Sequence, residues 1–197
     1  MTSPQSRLRE RTRRAVQKEI ADAALALFVS RGYDATTIDD IAAAAGMSQR
    51  SVFRYFATKE DIVVGKLDLR TDAMLDILRA RPGDEPVWTS LRRLFDIVGT
   101  PDQQEITKPI QRVVFETPAL LAVYLQQLHS IQDAVVAVLL DRADAAGSPY
   151  APDDPAPRAI TAAAFGCLVA AQHAWLASTG SLADCIDRAM ASITVQA

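Results

Sequence analysis

Apolar residues recur at three-and-four spacing along almost the whole chain, and few windows show the period of two, rich in β-branched residues, that marks a strand, so no strand is expected. Val16, Ile20, Ala23, Ala24, Leu27 and Phe28 form one such stripe and predict a first helix that ends near Gly32. Thr37 can cap a short second helix, Ile38 to Ala45, which Gly46 ends. Ser48 can cap a third, ending near Phe56, and Thr58 a fourth, with Asp61 placed for an acidic capping box. The fourth could run to about Arg81, where Pro82-Gly83-Asp84 breaks it.

Further helices are expected over about Pro86 to Val98, Asp102 to Phe115, Pro118 to Ala146, Pro157 to Ser178 and Leu182 to Ile193. Pro101, Pro118 and Pro157 suit first-turn or pre-helix positions. Gly147 to Pro157, with Pro149, Pro152, Pro155 and Asp153-Asp154, reads as a loop. The expectation is an all-α chain of about nine helices, divided into residues 1–60 and 61–197.

Composition adds limits. At 197 residues, 49% hydrophobic and 23% charged, the chain is ordinary globular material. Cys167 and Cys185 are too few for a disulfide framework or a four-cysteine zinc site. Between Arg158 and Asp184 no residue is charged, which imitates a membrane span. The segment is alanine-rich and holds Gln172 and His173, so a helix buried between protein surfaces is the better reading. The Arg-rich start lacks the apolar run of a signal peptide, and a soluble, cytoplasmic protein is expected.

Charge changes the picture more. The net charge of -3 hides a split: residues 1–70 carry a net +3, residues 71–197 a net -6. A basic third is an electrostatic footprint for nucleic acid. Within it, TTIDDIAAAAGMSQRSVFRYFATK (Thr36 to Lys59) holds two short helices joined at Gly46-Met47. Ala42 and Ala45 allow close approach, and Gly46 tolerates a left-handed turn. Ile38, Ile41, Val52 and Phe56 give each helix an inward side. The other face offers Gln49, Arg50, Ser51 and Arg54, whose donors suit base edges and phosphates in a major groove. Lys59 is placed for backbone charge, and the arm from Arg7 to Arg14 could reach an adjacent groove.

The run GYDATTIDDIAAAAGMSQRSVFRYFATKEDIV resembles the DNA-binding domain of the TetR family of bacterial transcriptional regulators. The likeness covers about Val16 to Val64, and chain length and helix count fit it. It implies three DNA-binding helices followed by a dimerising, ligand-binding domain. Carried over by position, Thr37, Gln49, Arg50, Ser51, Phe53, Arg54, Tyr55 and Lys59 are the DNA contacts. Phe53 could equally be a core aromatic, and Tyr55 could pack while its hydroxyl meets a phosphate. Many members carry an aromatic residue where Arg54 stands and His where Tyr55 stands. SVFRYF and FETPALL (Phe115 to Leu121) resemble a subgroup with a mycofactocin-type, acyl-CoA-responsive C-terminal domain.

The C-terminal part offers less specific chemistry. Leu121, Tyr124, Leu125, Leu128, Ile131, Val135 and Leu139 make a stripe bordered by His129 and Gln132. An apolar effector, with a fatty acyl-CoA as the subgroup likeness implies, is expected between the helices holding Phe95, Phe115 and Tyr124. Leu125, Leu128 and His129 continue its wall, and Arg112 could meet an anionic head group. Alternatively, Lys108, Arg112 and Glu116 form a solvated ion-pair row. Ala162, Gly166, Ala170 and Ala174, with Leu182, Ile186, Ala189 and Ile193, are expected to form an isologous homodimer interface. Neither His129 nor His173 has neighbours at metal-ligand spacing, and no cofactor motif or catalytic set is found. The expected function is a ligand-released repressor of operator DNA. A helical small-molecule enzyme and a protein-interaction bundle are the alternatives.

Overall fold

The computed structural model describes residues 4–98 and 104–194. Among them are α1 (Pro4–Arg31), α2 (Ile38–Ala44), α3 (Gln49–Phe53), α4 (Lys59–Arg79) and α5 (Val87–Leu94). A 3-10 turn (Phe95–Ile97) follows, then α6 (Gln104–Glu116), α7 (Pro118–Ala145), α8 (Ala156–Leu176) and α9 (Leu182–Thr194). No strand occurs among the described residues. The expected entry to α6 at Pro101 and Asp102 lies outside them.

Two compact units form. One comprises Met1–Arg70 and Pro109–Gln127, the other Thr71–Lys108 and Leu128–Ala197. The first unit is thus built from two separate chain segments.

In the first unit the buried stripe of α1 is Ile20, Ala21, Ala24, Leu25 and Phe28, rotated slightly from the expected one because Leu27 is only half-buried. Ile41 and Ala42 of α2 and Val52 of α3 complete this small core with Phe56. α1 is also longer than expected. It begins at Pro4, so the Arg-rich segment is helix rather than an extended arm. The physical reason is plain: no glycine or further proline interrupts residues 5 to 31, and arginine is a good helix former.

In the second unit α8 packs along α9, and α5 against both. Phe95 and Phe165 meet edge to face, 5.3 Å between centroids. Leu91, Leu94, Leu168, Trp175 and Ile186 fill the space around them, each 2% exposed or less. α8 is the one described helix long and apolar enough to cross a membrane, yet 44% of that window is buried inside the chain. Its inward face carries Thr161 and Gln172, which marks it as a core helix. Lys108, expected in an ion-pair row with Arg112 and Glu116, donates instead to the carbonyl of Ser178. Its ammonium sits 5.3 Å from the Trp175 ring centroid.

Candidate nucleic-acid interface

The helix-turn-helix is built from local chemistry. Thr37 caps α2: the Asp40 amide donates to Thr37 Oγ1 (3.1 Å), and the Thr37 amide donates to the Asp40 carboxylate (2.9 Å). The Thr37 hydroxyl also donates to that carboxylate at 2.5 Å. These bonds from Thr37, with Arg31 nearby, hold the Asp40 carboxyl below the usual carboxylate range. α2 ends in a Schellman motif. Met47 N–H reaches the Ala42 carbonyl and Gly46 N–H the Ala43 carbonyl, with Gly46 at φ +65°. Any other residue there would be strained, and no neighbour lies within 4 Å to object on grounds of space. Ser48 then caps α3, accepting from the Ser51 amide at 3.2 Å.

This brings most of the expected DNA contacts to one surface. Gln49, Arg50 and Arg54 are exposed, Ser51 and Tyr55 half-buried. Phe53 is 48% exposed and is not a core aromatic. A large apolar side chain held in solvent beside two polar donors suits a thymine methyl or a deoxyribose. Arg54 leans over the Tyr55 ring, 5.2 Å from its centroid, with Nη2 3.5 Å from the hydroxyl.

Two expected contacts have other duties. The Thr37 hydroxyl is committed to its cap. Lys59 is half-buried, and its ammonium donates to the carbonyls of Tyr33 (2.7 Å) and Thr36 (3.0 Å). It also lies 3.9 Å from the Tyr33 ring centroid. Tyr33 in turn donates its hydroxyl to Glu60 and packs edge-on against Phe28 at 5.0 Å. Burial first, then the bond to Glu60, push the Tyr33 phenol above its usual range; the same bond holds the Glu60 carboxyl down. Tyr33, Lys59 and Glu60 thus latch the start of α4 to the turn after α1. Neither Tyr33 nor Glu60 was singled out from the sequence.

Beside the recognition face lies an open groove of about 410 Å³, lined by Leu8, Arg9, Thr12 and Arg13 of α1 with Arg54 and Tyr55.

The remaining candidates fall in separate places. In the first unit, Phe115 and Tyr124 pair with ring centroids 5.7 Å apart, Leu125 is 44% exposed and Arg112 is exposed. Gln111, unremarked in the sequence, has a buried Nε2 without a hydrogen-bond partner. In the second unit, Phe95 and Leu128 are buried and His129 is exposed. On α8, Ala162, Gly166, Ala170 and Ala174 are all exposed. On α9, Leu182 and Ile186 are buried within the unit, so they are core rather than outward surface. Ala189 is half-buried and Ile193 is 45% exposed. Among the described residues no three His, Cys, Asp or Glu side chains gather as a metal site.

Comparison with known proteins agrees with this geometry. Residues 20–64 match the model of bacterial regulatory proteins of the tetR family, and residues 85–196 match the MftR C-terminal domain. The transcriptional repressor LfrR of Mycolicibacterium smegmatis is 35% identical over 159 residues, 77% of this chain and 76% of that protein. The transcriptional regulator TcmR of Streptomyces glaucescens is 29% identical over 68% of this chain and 63% of its own length. The solved structure of the fatty acid degradation regulator FadR from Bacillus halodurans superposes with a TM-score of 0.59 at 18% identity, covering 89% of this chain and 92% of that one. The chain belongs to the TetR family of bacterial transcriptional regulators, with a helix-turn-helix domain followed by an MftR-type C-terminal domain.

Proposed function

We propose that this regulator is a cytoplasmic homodimer that represses its target by occupying operator DNA and leaves it when a small apolar effector binds. The observation that carries the DNA half is the α3 surface. Gln49, Arg50 and Phe53 stand exposed, while the residues that build the turn are satisfied internally. Sequence reading falls to that face, with Arg50 the candidate for bidentate contact with guanine. Repression is favoured by LfrR, a relative that is named a repressor. A regulator rather than a catalyst is favoured by the family match and by relatives named as transcriptional regulators. Gel shift on the region upstream of its own gene tests the DNA half. Retention that competitor duplex of unrelated sequence cannot remove is the expected result.

The dimer would use the outward face of α8. Ala162, Gly166, Ala170 and Ala174 leave a shallow strip on which a second helix could lie closely. Gly166 has nothing within 4 Å of an added Cβ, so Gly166→Leu should leave the chain folded. It should move the protein towards monomer in sedimentation and weaken operator binding; an undisturbed dimer would place the interface elsewhere.

For the effector, the Phe115–Tyr124 ring pair offers apolar wall and the unpartnered Gln111 amide a donor. Fatty acyl-CoA is the class to test first. At a hundredfold its dissociation constant a ligand adds about 2.7 kcal/mol, a readily measured rise in Tm. By linkage it must weaken operator binding by the factor with which operator weakens it. Acyl thioesters, free fatty acids and planar cationic drugs should be compared at one concentration. A rise with the cationic compounds alone would overturn the acyl assignment.

A further inference from the structure

The α1 wall of the groove beside the end of α3 is a segment that the family match does not reach, since that match covers residues 20–64. Arg9 and Arg13 stand one helical turn apart on α1, on the same side, and both are exposed. Arg54 closes the groove from α3, steadied over Tyr55. Thr12 sits between the two α1 arginines; its hydroxyl donates to the Leu8 carbonyl at 3.0 Å. Among the described residues no carboxylate lines the groove. Three arginines therefore line one open channel, with no acidic partner among its described lining residues. Such a channel repels itself when empty and is relieved by an extended anion.

Arg54 also occupies the C-cap of α3, the end of the helix away from Ser48. In helix-turn-helix proteins the recognition helix reads bases chiefly from its N-terminal residues. Gln49 and Arg50 are at that end. Arg54 is not; its guanidinium lies over the Tyr55 ring, and the residue lines the groove with the α1 arginines.

We propose that Arg9 and Arg13, together with Arg54, form a seat for the DNA phosphodiester backbone that extends the protein's footprint beyond the helix-turn-helix. The inference rests on the DNA-binding reading and deepens it. Backbone contacts fix position and orientation without carrying sequence information. The seat therefore adds affinity for any duplex and leaves base preference to Gln49, Arg50 and Phe53.

The test uses the full-length protein and a fluorescent duplex recovered by the wild type from a random-sequence pool. Binding is followed by anisotropy from roughly 50 to 200 mM salt. The variants are R9Q/R13Q and the charge-retaining R9K/R13K. Each lost phosphate contact lowers the slope of log affinity against log salt by roughly 0.9. The wild type should lose roughly tenfold more affinity across that range than R9Q/R13Q does. The lysine variant should retain most of the slope, since a point charge serves a phosphate. Selection repeated with R9Q/R13Q should recover the same sequences. Both side chains are exposed, so unchanged far-UV circular dichroism and Tm should accompany the loss. A slope unaltered in R9Q/R13Q overturns the seat while leaving DNA binding in place. Altered recovered sequences would instead make these arginines base readers and overturn it too. A wild type that recovers no duplex overturns the underlying reading.

Discussion

Two surfaces of the first unit lie within a few residues of each other in sequence and have opposite character. At the latch the polar side chains turn inwards to partners: Lys59 donates to two carbonyls and Tyr33 donates to Glu60. On α3, Gln49, Arg50 and Phe53 face solvent. The difference separates two meanings of a basic residue near a helix-turn-helix. A cation whose donors are spent on carbonyls holds the turn in shape. A cation whose donors are unspent is available to nucleic acid. Position in a family pattern does not distinguish them; hydrogen-bond satisfaction does.

The most severe test of this distinction is Lys59→Ala. Two charge-assisted bonds and a cation–π contact would be lost, and two carbonyls would lose their donor. For a half-buried site this should cost about 2–3 kcal/mol. In a chain of this size that lowers Tm by roughly 5–10 °C. Operator binding would fall with the fold. If Lys59→Ala instead kept its Tm and lowered only the salt slope by roughly 1, Lys59 would be a plain phosphate contact and the latch would be idle.

Arg50→Ala should do the reverse. Surface substitutions away from special features stay within about 0.5 kcal/mol in stability. Loss of a bidentate base contact should cost about 1–3 kcal/mol in binding and relax preference at one base pair. Unchanged preference in a sequence-selection experiment would remove Arg50 from the reading face. Arg54→Gln sharpens the contrast within a single helix. It should lower the salt slope by roughly 0.9 while the selected sequences stay the same. A changed selection would return Arg54 to the bases.

What could be read from sequence follows the range of the interaction. The caps at Thr37–Asp40 and Thr58–Asp61 connect residues three apart, and both are present. The turn at Gly46 was legible for the same reason. The role of Lys59 was hidden because its partners are main-chain carbonyls 26 and 23 positions away, and a carbonyl has no residue-type signature. The small-residue strip on α8 showed in the spacing, yet spacing alone could not tell that Leu182 and Ile186 turn inwards. An apolar stripe on a terminal helix serves a core or a partner equally well, and only packing against α8 decides. Gln111 gave no signal at all, since nothing in its neighbours announces a buried amide.

The smallest effect tests the weaker half of the latch. Tyr33→Phe removes one hydroxyl donor and leaves the ring, the Phe28 contact and Lys59 in place. The net cost should be about 1 kcal/mol near neutral pH. Its pH dependence has a definite sign at each end. The bond from Tyr33 holds the Glu60 carboxyl below its usual value, so that contribution is present above the unfolded glutamate value, roughly 4.3. It is lost as pH falls through the lower folded value. Burial and the same bond raise the Tyr33 phenol, so its contribution is present below the unfolded tyrosine value, roughly 10. That part is lost as pH rises towards the higher folded value. The Tm difference between wild type and Tyr33→Phe should therefore be a plateau that closes at both ends. Glu60→Gln should remove the acid-side closure, because its amide accepts the same bond without titrating. A difference that stays constant from acid to alkaline pH would mean that the hydroxyl does not meet an ionised carboxylate, and the latch would reduce to Lys59 alone.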